Sequence, residues 1–130
     1  GSWFTSVIPH LMIDDLRRAI VTTEAHRALV LNLTLQESET QSMSSADLVR
    51  AVRDAAPDLK LDVVIADPTS VDDVDELMEV SAELGARVLL RQVHSASNPA
   101  VHDSLRLAAA LRDAFDGYLA EVGKSEEWLA

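Results

Sequence analysis

The sequence predicts an α/β fold: a Rossmann-like parallel sheet with flanking helices, forming the second half of a larger doubly wound domain. Short aliphatic runs of strand length alternate with amphipathic segments of helix length, which is typical of βαβ units. In 130 residues, 48% apolar and only 4% aromatic residues predict one aliphatic core. A helix comes before the first strand, and three strands make a small sheet with exposed edges. We therefore expect this chain to pack on a missing N-terminal half or to form a homo-oligomer.

The first element is a small hydroxyl-rich loop that leads into a helix. Pro9 suits a helix's first turn, and apolar residues then recur at near-helical spacing until about Thr22. The loop precedes the unpaired N–H groups of a helix start, which favour an anion. Ser2, Thr5 and Ser6 therefore form either a phosphate cradle or an ordinary capping turn.

The first strand and the second helix follow. Residues 27–34 are rich in Leu and Val, as in a strand that is covered on both faces. A polar loop comes next, and Ser44 with Asp47 resembles a capping box at the start of the second helix. Pro57 ends that helix.

The second strand is predicted at residues 61–66, and its helix begins near Ser70, which is paired with Asp73 as a cap. The acidic residues Asp72 to Glu76 favour the N-terminus of this helix electrostatically. Gly85 suits the position after its end. The buried stripe of this helix is predicted to comprise Val71, Val74, Leu77, Met78 and Leu84.

The third strand is predicted at residues 87–93 and is followed by a loop and a long last helix. The face of this helix that packs on the sheet is predicted to carry Leu105, Ala108, Leu111, Phe115 and Leu119. The domain is predicted to span residues 1–123, and residues 124–130 form a tail with little pattern.

Composition excludes several classes of function. The formal net charge of −11 argues against a nucleic-acid surface and against an anionic membrane surface. The chain has no cysteine, no apolar run near the roughly 20 residues of a membrane span, and no secretory signal pattern. These features predict a cytoplasmic protein without disulfides.

Ligands of open α/β sheets bind beyond the carboxyl ends of the strands, and that rule selects three loops. The candidates are Asn32, Gln36, Glu37, Glu39 and Thr40 after the first strand, Asp67 and Thr69 after the second, and His94, Ser95 and Ser97 after the third. Glu39 and Thr40 suit a ribose or sugar hydroxyl, although solvated loop polarity is the simpler interpretation. Asp67 either binds a hydroxyl or a metal, or builds the turn that Pro68 and Thr69 continue.

No catalytic or metal-binding residues are predicted. The sequence contains no Gly-x-Ser-x-Gly elbow, P-loop or dinucleotide fingerprint. The four histidines lack metal-ligand spacing and have no cysteine beside them. His102 and Asp103 suit a helix start better than a ligand site.

Residues 1–11 nevertheless resemble the Gly-Ser-x-x-Thr-Ser-x-x-Pro-Asn-Leu segment of the YvcK/CofD-like family. Asn32, Gln36, Glu39 and Thr40, with Asp47 in the next helix, are similar to a second family segment, Asn-x-x-x-Gln-Pro-Gly-Glu-Thr. His102 and Asp103 resemble the His-Asp that opens the family's last helix. The resemblance extends to about Tyr118 and covers the family's C-terminal portion.

The resemblance implies a function. Gly-Ser-x-x-Thr-Ser resembles the regulatory YvcK branch, called gluconeogenesis factors, which are cytoplasmic UDP-sugar binders linked to bacterial cell shape and peptidoglycan synthesis. The implied ligand-binding residues are Gly1, Ser2, Thr5 and Ser6 at the phosphates, and Asn32, Gln36, Glu39 and Thr40 at the nucleoside or sugar. The alternatives are a 2-phospho-L-lactate transferase-like enzyme of deazaflavin coenzyme biosynthesis, or an association module without a ligand.

The sequence departs from the family pattern in the implied site. Glu37 and Ser38 replace the family's Pro-Gly, Met43 replaces a frequent Tyr, and His10 replaces Asn. Val101 stands where a basic residue is common, so a diphosphate ligand loses one expected cation.

Overall fold

The structure is a computed structural model that describes residues 3–33 and 43–129. The helices are α1 (Trp3–Ser6), α2 (Ile8–Met12), α3 (Asp14–Thr22), α4 (Ser45–Ala55), α5 (Val74–Glu83) and α6 (Ser104–Leu129). The strands are β1 (Ala28–Val30), β2 (Val63–Ala66) and β3 (Arg87–Leu90), and a 3-10 turn, Pro68–Ser70, follows β2. These three strands form a parallel sheet in the order β1-β2-β3. The predicted parallel α/β fold is confirmed.

Helices cover both faces of the sheet. Val64 and Ala66 of β2 belong to a core with α1, α2, α4 and α5, whereas Val63 and Ile65 pack with α6 on the opposite face. The alternation follows from the two-residue period of a strand. All four residues of β2 are buried, which explains why the sequence of this central strand is continuously aliphatic.

Local chemistry sets the helix ends as predicted in two places. The Ser44 side chain accepts a hydrogen bond from the Asp47 backbone N–H, and the Asp47 carboxylate accepts one from the Ser44 N–H, each at 3.1 Å. This is the predicted capping box. Gly85 follows α5 with φ of +76°, a left-handed conformation that side chains disfavour. Both predictions are confirmed.

The single N-terminal helix was a wrong prediction, because the structure has three short helices there. The predicted loop at Thr5 and Ser6 is a helical turn, α1. Pro9 has no backbone N–H and so cannot donate to the Thr5 carbonyl, which a continuous helix would require. Ile13 is extended, with φ −91° and ψ 114°, and α3 starts anew after it.

The cap and buried stripe predicted for α5 were also partly wrong. Asp73 caps α5 by accepting from the Glu76 N–H at 3.0 Å, while Ser70 lies in the 3-10 turn and donates to the Asp67 carbonyl. Leu77 and Leu84 are buried as predicted, and Val80 is buried with them, whereas Val74 and Met78 are 38% and 53% exposed.

In α6 the packed face is rotated from the predicted one. Ala110 and Ala114 are buried with Leu107 and Leu111 beside them, whereas Leu105 is 84% exposed. Small alanines form the contact, and a pattern weighted to large residues misses them. The helix continues through Gly123, where the sequence predicted a tail.

All three strands are shorter than predicted. Beyond β3, the Val93 N–H donates to the Asp67 carboxylate instead of a neighbouring strand. Before β1, the Arg27 N–H likewise donates to a carboxylate, that of Asp62, at 2.7 Å. Carboxylates accept these two N–H groups, whereas the Leu31 N–H just beyond β1 keeps a backbone partner, the Ile65 carbonyl.

Candidate functional site

The carboxyl ends of the strands meet at one edge of the sheet, where Asn32 follows β1, Asp67 follows β2 and His94 follows β3. This is the edge where ligands of parallel α/β sheets bind. The described residues there form two distinct groups: a closed hydrogen-bond cluster around Asp67 and an open cleft beside Asn32.

The Asp67 carboxylate is wholly buried and has five donor contacts. One oxygen accepts from the Thr69 N–H at 3.0 Å and from the Thr69 hydroxyl at 2.8 Å. The other accepts from the Val93 N–H at 2.9 Å, from the His94 N–H at 3.0 Å, and lies 2.6 Å from His94 Nδ1. Asp67 therefore builds the turn and joins the ends of β2 and β3.

The same contacts explain the ionisation of Asp67. Burial opposes the charged form, but the hydrogen bonds from Thr69, His94 and Val93 outweigh it and hold the pKa of this carboxyl well below its ordinary value. The carboxylate is thus ionised and saturated with protein donors. Of the two interpretations left open by the sequence, the structure supports the turn-building one.

His94 completes this cluster. A ring that carries a proton on Nδ1 donates to the Asp67 carboxylate, and His94 Nε2 lies 3.2 Å from the Gln92 amide nitrogen. His94 also forms an antiparallel bridge with His102, so the loop between them closes on itself. Ser95 and Ser97 contact each other at 3.0 Å on the exposed side of that loop.

Asp103 starts α6, as its position predicted. Its carboxylate accepts from the N–H groups of Leu105 and Arg106, each at 3.0 Å. His102 Nε2 is buried and has no hydrogen-bond partner among the described residues.

The open cleft lies between the ends of β1 and β2 at the start of α4, with a volume of about 100 Å³. It is lined by Asn32, Leu33, Met43, Ser44, Ser45, Leu48, Ser70 and Asp72. Ser45 is buried, and its hydroxyl donates to the Asp72 carboxylate at 3.1 Å. Of the predicted ligand-binding residues, Asn32 lies here.

Three further cleft residues, Ser45, Ser70 and Asp72, were not predicted as site residues from the sequence. Ser70 and Asp72 were assigned to the start of α5. Ser45 follows the predicted cap Ser44, and no role was predicted for it. The signal was available in their positions, because each of the three lies in a segment that follows a strand at the carboxyl edge.

The other predicted ligand-binding residues are elsewhere or outside the described residues. Thr5 and Ser6 lie exposed on α1, which Trp3 fixes to the core by donating its indole N–H to the Leu48 carbonyl at 3.0 Å. Ser6 lines a different groove, beside β1. The predicted residues Gly1, Ser2, Gln36, Glu39 and Thr40 lie outside the described residues, so the ligand assignment stays a prediction.

The described part of the chain offers neither a metal-binding cluster nor a membrane-spanning helix. Among residues 3–33 and 43–116, whose side chains the structure describes, no group of three or more His, Asp or Glu side chains is arranged to hold a metal ion. None of the helices described there is long and apolar enough to cross a membrane.

The three-stranded parallel sheet, covered by helices and open at a polar cleft on its carboxyl edge, defines the chain as a Rossmann-like α/β protein. Residues 1–114 match the family model described as 2-phospho-L-lactate transferase CofD. The chain belongs to the CofD family.

Relatives narrow the placement within the family. A Mycobacterium tuberculosis protein described as "Putative gluconeogenesis factor" is 37% identical over 130 residues, covering 97% of this chain and 36% of its own length. A Mycobacterium leprae protein with the same description is 35% identical over 115 residues, covering 85% and 32%. The chain thus spans about a third of the length of these relatives. No solved structure matches it significantly.

Proposed function

We propose that this chain is the C-terminal part of a cytoplasmic bacterial regulator of the gluconeogenesis-factor type, which binds a UDP-sugar and has no catalytic role. The similarity to mycobacterial proteins of that description over 97% of the chain is the observation that carries the proposal. Effects on cell shape and cell-wall synthesis would follow from sensing a precursor sugar nucleotide.

The cleft beside Asn32 supports a ligand site at this place. Leu33 and Met43 both line it, and they are the described residues that flank segment 34–42 in the sequence. That segment carries Gln36, Glu39 and Thr40, the residues predicted to contact the nucleoside or the sugar. The chain therefore joins these residues at both ends to residues of the cleft lining. In the proposal, Gly1, Ser2, Thr5 and Ser6 contact the phosphates.

A transferase acting on a phospholactate and a deazaflavin is the second candidate, and the description of the matching family model favours it. The two functions differ in the nucleotide that the protein holds. A regulator of the first kind binds a UDP-sugar, whereas the transferase uses a guanylylated substrate and should prefer GDP.

Calorimetric titration of the full-length protein with UDP-N-acetylglucosamine, with GDP as the comparison, tests the proposal. We expect saturable binding of the UDP-sugar and a loss of roughly tenfold in affinity for Thr5→Ala and for Glu39→Ala, as for a lost hydrogen bond to a ligand. Glu79→Ala, an exposed carboxylate on α5, is the matched control and should bind normally. A preference for GDP would favour the transferase, and unchanged affinity in both site variants would refute the site assignment.

A further inference from the structure

The acidic run before α5 divides between two helices. Asp73 caps α5, and Asp75 and Glu76 lie in its first turn. Asp72 lies at neither position: its carboxylate accepts from the Ser45 hydroxyl at 3.1 Å, across the cleft at the start of α4. The Asp72 carboxylate therefore lines the candidate ligand cleft, and the electrostatic support of α5 that its position before the cap predicts stays a prediction.

The cleft is unsuited to a phosphate, although it lies at a helix N-terminus. The capping box occupies the N–H groups of Ser44 and Asp47, and the pKa of Asp47 is lowered chiefly by the bond from the Ser44 backbone. Asp72 places a carboxylate in the cleft lining, and its bond from Ser45 occupies the buried hydroxyl of that serine. This carboxylate repels an anion in the cleft, whereas the Asp47 carboxylate is paired with the Arg50 guanidinium at 2.8 Å.

The same groups suit a ligand that donates hydrogen bonds. A carboxylate only accepts, so its complement is an O–H or N–H group, and the Asn32 amide in the same cleft both donates and accepts. The volume of about 100 Å³ is below the roughly 300 Å³ at which pockets for complete drug-sized ligands begin. One hydroxylated ring fits this description better than a whole nucleotide sugar.

Resting on the proposed function, we infer that Asp72 is a specificity-determining residue which accepts hydrogen bonds from ring hydroxyls of the ligand. Ser45 positions its carboxylate by donating to one oxygen, which leaves the other oxygen for the ligand. The diphosphate lies outside this cleft. The hydroxyls belong to either the ribose or the sugar, since both rings offer the same chemistry.

The test compares Asp72→Asn with Asp73→Asn in the full-length protein by calorimetry. Both variants remove one negative charge at neighbouring positions, and asparagine caps a helix about as well as aspartate. We expect Asp72→Asn to bind UDP-N-acetylglucosamine roughly 10- to 100-fold more weakly than wild type, as for a lost hydrogen bond to a charged group, and Asp73→Asn to bind normally.

Three nucleotides identify the ring. If Asp72 contacts the ribose, Asp72→Asn weakens the binding of UDP as much as the binding of UDP-N-acetylglucosamine, and the loss of affinity is smaller for 2′-deoxy-UDP. If Asp72 contacts the sugar, the variant loses affinity for UDP-N-acetylglucosamine and binds UDP as tightly as wild type does. Either pattern supports the inference. Near-ultraviolet circular dichroism of the variants checks that the fold is intact.

The remaining outcomes separate this inference from the proposed function. Wild-type binding of the UDP-sugar with equal affinity in the two variants overturns the role of Asp72 and leaves the function standing. Tighter binding by Asp72→Asn also overturns it, since the carboxylate would then face an anion. Binding of GDP alone, weakened only by Asp72→Asn, refutes the UDP-sugar function and supports the hydroxyl role. A wild type that binds neither nucleotide overturns both.

Discussion

At the scale of single residues, Asp67 shows how one carboxylate can replace several backbone pairings. The turn after β2 and the segment after β3 both direct N–H groups at it, from Thr69, Val93 and His94. Buried N–H groups are costly when unpaired. A single acceptor with four lone-pair sites thus stabilises the segments that follow β2 and β3.

We predict that Asp67→Asn lowers the free energy of unfolding by about 3 kcal/mol near neutral pH, because the amide nitrogen would face N–H donors that need an acceptor. Urea denaturation of the full-length protein measures this change. Asp73→Asn, an exposed cap, is the control and should unfold close to wild type.

The stabilisation by Asp67 depends on pH in a definite direction. Its folded-state pKa is below the ordinary value of 3.8, so its contribution is complete above that value and is lost as the pH falls through the folded pKa. The difference in stability between wild type and Asp67→Asn should therefore be constant near neutral pH and shrink below about pH 4. A difference that stays constant down to pH 2 would contradict this assignment.

At the scale of elements, local chemistry decided which boundaries could be predicted. The box of Ser44 with Asp47 and the left-handed Gly85 depend on residues within a few positions of each other, and both were predictable. Ser70 was mistaken for a cap because its competing partner, the Asp67 carbonyl, belongs to a turn that the pattern does not reveal. The face of α6 depends on which side meets the sheet, and helical spacing alone does not decide that.

The end of α5 gives a prediction at this scale. A Cβ on Gly85 would meet its nearest heavy atoms at 3.8 and 3.9 Å, which is ordinary contact, so only the backbone conformation resists a side chain. We predict that Gly85→Ala costs about 1 kcal/mol of folding free energy, the penalty for alanine at positive φ. Gly85→Asn should cost less, because asparagine tolerates this conformation better. Equal and negligible losses in the urea midpoints of both variants would refute the argument.

The candidate site was only partly predictable from the sequence. The carboxyl-edge rule located Asn32, and the resemblance selected loop residues that lie outside the described residues. Asp72 was not predicted as a site residue because it belongs to a run of acidic residues directly before a helix. The favourable interaction of such residues with the helix dipole is a sufficient explanation for that run. Only its contact with Ser45 of α4 separates it from its neighbours.

At the scale of the whole molecule, the sheet has an edge at β1 for which the described residues provide no neighbouring strand. The Leu31 N–H donates to the Ile65 carbonyl of β2 at 3.0 Å, so by strand alternation the N–H groups of Ala28 and Val30 face away from β2. Beside β1 lies a mostly apolar groove of about 370 Å³, which includes Leu11 and Ile20. Parallel sheets are normally covered at such places.

The relatives are about three times as long as the aligned chain, which leaves room for a further segment along β1. We predict that in the full-length protein the amides of Ala28 and Val30 exchange with solvent at least tenfold more slowly than in this chain as a monomer, because a further strand accepts their hydrogen bonds. Hydrogen exchange read by NMR measures both amides, and the Leu31 amide, which is already paired, is the internal control. The alternative is that a second copy of this chain covers the β1 edge. Sedimentation over a range of concentrations tests it, because slow exchange that occurs only at concentrations where this chain dimerises would assign the edge to a second copy. Fast exchange in the full-length monomer would contradict a covering strand within the same protein.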